Sequence, residues 1–205
     1  TDWVAEHLKD PAVRIAEVDV DTGAYDQGHV PGAVGWNWTT QLCDTIVRDV
    51  IPKGKLEELL GHSGIDNTTT VVLYGDNNNW FAAWAFWQLK LYGHQDVRIM
   101  DGGRKKWLAE GKELSTDPPS APKKTYMAKD PDNALRAFLP EVQDASKRKT
   151  AALVDVRSPA EFTGEILAPP GLPETCQRGG HIPGAKSMPW AKLANDDGTF
   201  KSPAE

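Results

Sequence analysis

Gly28-His29-Val30-Pro31-Gly32-Ala33 returns 152 residues further on as Gly180-His181-Ile182-Pro183-Gly184-Ala185. Trp38 returns at the same spacing as Trp190. Upstream of each lies a second matching pair, Val18-Asp19-Val20 and Val154-Asp155-Val156, here offset by 136 residues. The second copy therefore holds 16 extra residues between its two parts. A repeat this specific predicts two homologous domains. Copy one runs from about residue 13 to about residue 111, whereas copy two starts near Thr150. Phe200-Lys201-Ser202 of copy two matches only the stretch just before a predicted helix at 53–60. The expected division is residues 1–112 as the first domain, 113–149 as a linker and the start of the second, and 150–205 as the first half of the second. A half domain leaves sheet edges and an apolar face uncovered. A continuation past Glu205 is therefore expected.

Composition narrows the function classes. The chain has 205 residues, 40% hydrophobic and 25% charged. Its apolar run at 81–87 falls far short of the roughly twenty residues that a membrane span needs, so no membrane association is expected. Net charge is −6, which disfavours nonspecific nucleic-acid binding. Cys43 and Cys176 are too few for a disulfide framework and form no CxxC spacing. A reducing, cytoplasmic compartment is expected. No charged and apolar leader precedes the first strand, and a start on Thr1 suggests that something was trimmed before it. No His, Cys, Asp or Glu cluster has metal-ligand spacing, so neither metal nor cofactor is expected.

Within copy one, residues 14–18 predict a strand and Asp21-Thr22-Gly23 a turn. Residues 33–36 predict a second short strand. Leu56, Leu59 and Leu60 form an i, i+3, i+4 stripe, and that helix should end near Gly61. The β-branched run at 70–74 predicts a buried strand. Gly75-Asp76-Asn77-Asn78-Asn79 is then a loop whose last residue suits an N-cap. A helix follows at 80–92, closed by Gly93 and expected deep in the domain because it is apolar almost all round. Residues 97–100 predict a further strand, and Asp101-Gly102-Gly103 leads into a short helix with Trp107. Strands alternating with helices imply an α/β domain with a mainly parallel sheet. Residues 113–133, with four prolines, suggest a linker.

Strand, short loop and helix N-terminus make a unit whose backbone N–H groups and helix dipole can cradle an anion. A cysteine at the loop's first position would be ionised and nucleophilic there. Copy one has Gly75 at that position, and Asp76 adds a charge that repels anionic substrates. Copy one is expected to be catalytically inactive.

These Asp-bearing strands, the paired Gly-His-Val/Ile-Pro-Gly-Ala segments, the strand–loop–helix at 74–93 and Asp101-Gly102-Gly103 together resemble the tandem rhodaneses, sulfurtransferases of the bacterial two-domain type. The resemblance implies an inactive first domain and a nucleophilic cysteine in the second, in the loop that matches Gly75. The repeat offset puts that cysteine near position 227, beyond Glu205. It implies double displacement, in which the thiolate takes the outer sulfur of thiosulfate, releases sulfite, and passes the sulfur to cyanide or a thiol. Asp155 and Arg157 fall on the family's Asp-x-Arg segment, where they could orient loop groups and support a buried charge network. An acid–base pair closing a strand is also an ordinary architectural feature. Relatives with a second Arg four residues later bind substrate with it. Glu161 stands there in this chain, which weakens the alternative of a mercaptopyruvate sulfurtransferase. A non-catalytic rhodanese-like binding or regulatory module is the other alternative.

The remaining candidates have plainer explanations. Arg178 could contact an anion beside the second Gly-His-Ile-Pro-Gly, or be a solvated loop residue. Cys176 follows no strand and opens no helix, so an incidental thiol explains it better than a nucleophile does. Cys43 is expected to be packed. His29 and His181 occupy equivalent places although one copy is expected to be inactive, which favours a structural hydrogen bond for both. Trp80, Trp84 and Trp87 suit core packing. Arg104-Lys105-Lys106 suggests a solvated helix face, and Gly102-Gly103 is too little for a nucleotide loop.

Overall fold

The computed structural model describes residues 1–47, 49–171 and 176–204. Residues 172–175 of the inserted stretch and Glu205 lie outside the described residues. The chain divides into one unit of Thr1–Leu135 with Asp196–Phe200, and another of Arg136–Asn195 with Lys201–Glu205.

The first unit runs α1 (Asp2–Glu6), β1 (Val13–Asp19), α2 (Gly23–Gln27), β2 (Val34–Asn37), α3 (Trp38–Gln41), α4 (Lys53–His62), β3 (Thr70–Tyr74), α5 (Trp80–Leu91), β4 (Val97–Ile99) and α6 (Gly103–Ala109). Its four strands lie in the order β2-β1-β3-β4, all parallel. In β1, Ala16 pairs with Val34 on one side and Leu73 on the other. Every residue of β1 from Ile15 to Asp19 is buried, without the alternation of a one-faced strand. Helices cover both faces, as a parallel sheet requires. Ala16, Val18, Leu56, Leu60 and Leu89 pack on one face. Val13, Ile15, Val72, Tyr74 and Trp107 pack on the other.

Helix α5 departs from expectation. It buries Ala82, Ala85, Gln88, Leu89 and Leu91, but Trp80 is half-exposed. Phe81, Trp84 and Trp87 are only partly buried. The small Ala82 and Ala85 let the helix lie close to the sheet, leaving no room there for large rings. The rings instead pack at the rim, where Trp84 meets Trp38 and Trp87 edge-on with centroids 5.7 and 5.2 Å apart.

Arg104-Lys105-Lys106 is not one solvated face. Arg104 is buried, and its Nη1 donates to Glu17 Oε1 at 2.8 Å. Its Nη2 donates to Ala24 O at 3.0 Å and also to Gly28 O. Tyr74 donates its hydroxyl proton to Glu17 and accepts from Val30 N–H at 2.9 Å. One guanidinium thus ties the first Gly-His-Val-Pro-Gly segment to β1 and, through Glu17, to β3. A buried charge survives only with such pairing.

The proline-rich stretch packs on this same unit. Ser115 pairs with His29, Lys124 N donates to Gly61 O, Asp132 N donates to Leu91 O, and Tyr126 is buried. His29 stacks on Tyr25, and its two ring nitrogens face Tyr25 O and Asp117 O.

The second unit holds α7 (Leu139–Arg148), β5 (Val154–Asp155), α8 (Pro159–Thr163) and β6 (Lys186–Ser187). Strands β5 and β6 pair in parallel, Val154 with Lys186 and Asp155 with Ser187, the same relation that β1 has to β2. Helix α8 opens on a capping box of Ser158 and Glu161 with Pro159 at its start, and it closes at Gly164. Among the described residues no helix is long and apolar enough to cross a membrane.

Candidate functional site

The two units present corresponding strand ends, and each is best understood alone. In the second unit, β5 delivers Asp155 and the chain turns at once into Arg157. Arg157 Nε and Nη2 donate to the two Asp155 oxygens at 3.0 and 2.7 Å. Its backbone N–H also donates to Asp155 Oδ1 at 3.0 Å, and Nη2 reaches Gly180 O at 2.8 Å. The fork geometry fixes the guanidinium plane. Chiefly through that side-chain bond, Arg157 holds the Asp155 carboxyl below its usual range, while Asp155 raises the Arg157 pKa. His181 stacks on Phe162 and bonds its Phe162 carbonyl, repeating the stacking and carbonyl contact of His29 with Tyr25. Both histidines therefore brace the fold in the same way.

Asp155, Arg157, Arg178, Cys176 and His181 share an open cavity of about 730 Å³, with an apolar floor that includes Val154 and Ile182. Its two guanidiniums against one ionised carboxylate leave a net positive charge, which suits an anionic ligand. Arg157 Nη1 also comes within 3.9 Å of Cys176 Sγ. That proximity was not legible beforehand, because the intervening inserted stretch has no periodicity to orient it. Glu161, four residues after Arg157, is buried and committed to Ser158. Its Oε2 accepts from the Ser158 hydroxyl at 2.7 Å and from the Ser158 N–H at 3.1 Å.

In the first unit, Gly75 and Asp76 follow β3. A Cβ on Gly75 would stand 2.4 Å from Val18 O and 3.1 Å from Asp19 Oδ1. The position thus excludes any side chain, a thiol included. Asn77, Asn78 and Asn79 all take positive φ, of 49, 53 and 63°, a run that Asn tolerates better than most residues. Asn79 sits at the N-cap of α5, but its side chain turns back into the loop. There Oδ1 accepts from Gly75 N–H at 3.0 Å and Nδ2 donates to Met100 O at 2.9 Å. Gly103 explains the Asp-Gly-Gly motif: a Cβ there would lie 2.5 Å from Asn79 Oδ1 and 2.7 Å from Gly75 O. The returning segment Asp196–Phe200 lies at this end of the unit, where Phe200 N–H donates to Asp101 Oδ1 at 2.8 Å.

Asp19 corresponds to Asp155, but Asp21 stands where the second copy has Arg157. The consequence is electrostatic. Asp19 is buried, and its Oδ1 accepts from Asp76 N–H at 2.9 Å. Its Oδ2 is buried with no hydrogen-bond partner among the described residues. Burial, more than the nearby Asp76 and Glu17 charges, pushes its carboxyl up to about 7. The same acid is thus held ionised in one copy and pushed toward neutrality in the other. The repeat alignment held this signal, since the Asp-x-Asp and Asp-x-Arg segments can be laid side by side. Among the described residues no group of three His, Cys, Asp or Glu side chains could hold a metal ion.

Comparison with known proteins bears on this geometry. The chain matches the family described as "Rhodanese-like domain" over residues 1–110 and 139–204. A Haloferax volcanii protein named "Putative thiosulfate sulfurtransferase" is 55% identical over 209 residues, covering 100% of this chain and 73% of that protein. A Thermus thermophilus protein named "Sulfur carrier protein TtuD" is 51% identical, with the same coverage of 100% and 73%. Among solved structures, SseA from Escherichia coli is described as showing the rhodanese fold and catalytic mechanism of 3-mercaptopyruvate sulfotransferases. It superposes with a TM-score of 0.82 at 27% identity, covering 98% of this chain and 77% of its own.

Proposed function

The chain belongs to the rhodanese family, and from that premise we propose that it is part of a sulfurtransferase that moves the outer sulfur of thiosulfate to cyanide or a thiol. The nucleophile is the thiolate of a cysteine at the second-repeat position matching Gly75, near position 227. The thiolate attacks the outer sulfur of thiosulfate, the S–S bond of the donor breaks, and sulfite leaves with the bonding pair. The resulting persulfide is attacked at its terminal sulfur by cyanide, which forms thiocyanate and releases the enzyme thiolate. A thiol acceptor follows the same course and leaves as its own persulfide. The reducing, cytoplasmic setting expected from the cysteine count keeps such a thiolate available.

The observation that carries this reading is the guanidinium of Arg157, locked by Asp155 at the end of β5, with Arg178 on the same cavity wall. Arg157 is already paired, so it orients and screens, while Arg178 is assigned the direct contact with the anionic donor. Glu161 supports thiosulfate over mercaptopyruvate, because a carboxylate engaged in a helix cap cannot bind a donor carboxylate. The name of the Thermus relative supports a protein thiol as one acceptor.

Steady-state thiocyanate formation by the whole protein tests the reading. Arg178→Gln should raise KM for thiosulfate roughly tenfold, the loss of about one charged hydrogen bond, and leave KM for cyanide little changed. Absence of thiocyanate formation by the wild type, or markedly faster turnover with mercaptopyruvate, would overturn it.

A further inference from the structure

Two guanidiniums from the first unit reach its interior, and they are treated differently. Arg104 is fully paired, as described above. Arg14, in β1 opposite Val71, is half-buried and has no carboxylate within ion-pair distance among the described residues. Its Nε is shut off from solvent and has no acceptor. Its terminal nitrogen Nη2 lies against Gly64, where an added Cβ would come within 3.3 Å of it and within 3.2 Å of Pro122 O. Burial alone depresses its pKa, with no carboxylate acting against that effect. The terminal nitrogens, rather than the shut-off Nε, are the groups that a partner from outside the fold can meet.

Arg14 opens onto a half-open cavity of about 460 Å³ whose wall also carries His7, Lys9, Asp10, Ser120 and Lys124. Asp10 already accepts from Ala12 N–H at 2.8 Å. Lys124 is paired with Asp66 at 2.9 Å. His7 turns Nδ1 to Trp3 O at 2.7 Å and stacks on Trp3, leaving Nε2 for another partner. Donors without a partner among the described residues line the wall, namely the Arg14 terminal nitrogens, the Lys9 ammonium and the Ser120 hydroxyl, beside two acceptors, His7 Nε2 and the second Asp10 oxygen. We propose that this cavity is a binding site for a small oxyanion, held by two parallel N–H bonds from Arg14 with Lys9 as supporting charge. A planar fork meeting two oxygens of a tetrahedral anion is the strongest use of a guanidinium. The site lies on the N-terminal half of β1, away from the strand end that bears Gly75 and Asp76. It does not depend on the sulfur-transfer reading.

Sulfate is the first probe, titrated into the whole protein at ionic strength held constant with sodium chloride. The wild type should show a saturable rise in Tm, and Arg14→Gln should shift its midpoint at least tenfold upward. Lys9→Gln should shift the midpoint a few-fold. Thiosulfate, sulfite and phosphate titrated in parallel distinguish a reaction anion from a phosphate as the natural occupant. If Arg14→Gln folds poorly, amide resonances in the wild type serve instead: those of Ile15 and Gly32 should move with sulfate. Equal responses in wild type and Arg14→Gln, or sulfate shifts confined to residues 154–181, would overturn the proposal. Neither result would touch sulfur transfer, which is measured separately as thiocyanate.

Discussion

Gly75 shows how a position is closed to chemistry by geometry rather than by the mere lack of a functional group. Its missing Cβ would be driven into the Val18 carbonyl at 2.4 Å, and backbone cannot yield cheaply. Gly75→Cys should therefore cost about 1–3 kcal/mol or more through overpacking, read as a lower urea midpoint. The introduced thiol should take up no sulfur from thiosulfate, and a persulfide mapped to that peptide by mass spectrometry would refute this. Asp19, in contact with the same position, yields a pH prediction. Folded chains keep its proton up to about pH 7, while unfolded chains shed it near 3.8. Folding takes up a proton between those values, so this stabilisation is complete below 3.8 and is lost as pH rises through about 7. The full linkage is at most roughly 4 kcal/mol. Asp19→Asn keeps an oxygen for the Asp76 N–H and cannot titrate, so its stability relative to wild type should improve between pH 5 and 8. A difference between the two that stays flat with pH would count against the buried acid.

The strand–loop–helix from Thr70 to Leu91 was largely legible in the sequence. Five β-branched or apolar residues, a glycine, a polar run and a closing Gly93 prescribe those elements with little ambiguity. What the periodicity concealed was the orientation of α5. Its apolar residues surround the helix, so no moment points to a buried face, and the small Ala82 and Ala85 decide it instead. The N-cap position of Asn79 was legible, but its role was not. The side chain stitches the loop to Gly75 and Met100 rather than capping the helix, a consequence of backbone conformations that composition does not encode. Asn79→Ala removes two buried hydrogen bonds and places a Cβ-bearing residue that lacks Asn's local bonding at positive φ. A loss of about 2–4 kcal/mol is expected. Asn79→Gly should recover part of it by relieving the backbone alone, and equal losses for both variants would assign the whole effect to the side chain. Arg104 is the other misread element. A three-residue basic run looks solvated, yet α6 turns its first member inward because Glu17 lies buried on β1 and needs a counter-charge.

Across the whole chain, burial is unevenly distributed, and this has thermodynamic consequences. The first unit closes two apolar layers about a four-stranded sheet, with Ala16, Val18, Leu56, Leu60 and Leu73 fully buried. The proline-rich stretch adds Tyr126 and backbone bonds to Gly61 and Leu91. Composition marks such a stretch as a spacer because its prolines break regular structure. It marks nothing about where the intervening Tyr126 and Ala128 are buried. The second unit has a two-residue strand pair and leaves Val154 at 51%, Val156 at 49% and Ile182 at 48% exposed. At about 25 cal/mol per Å² of apolar area removed from water, side chains left half in solvent contribute little to hold β5 and β6 together. Native-state hydrogen exchange on these 205 residues should therefore separate the two units. Amides of β1 and β3 should exchange only through global unfolding, whereas those of residues 154–156 and 186–188 should open with free energies of at most a few kcal/mol. In a longer chain that covers Val154, Val156 and Ile182, the second set should gain protection and the first should change little. Uniform protection across both units in the 205-residue chain would mean that the second unit finds stability in contacts other than its own apolar core.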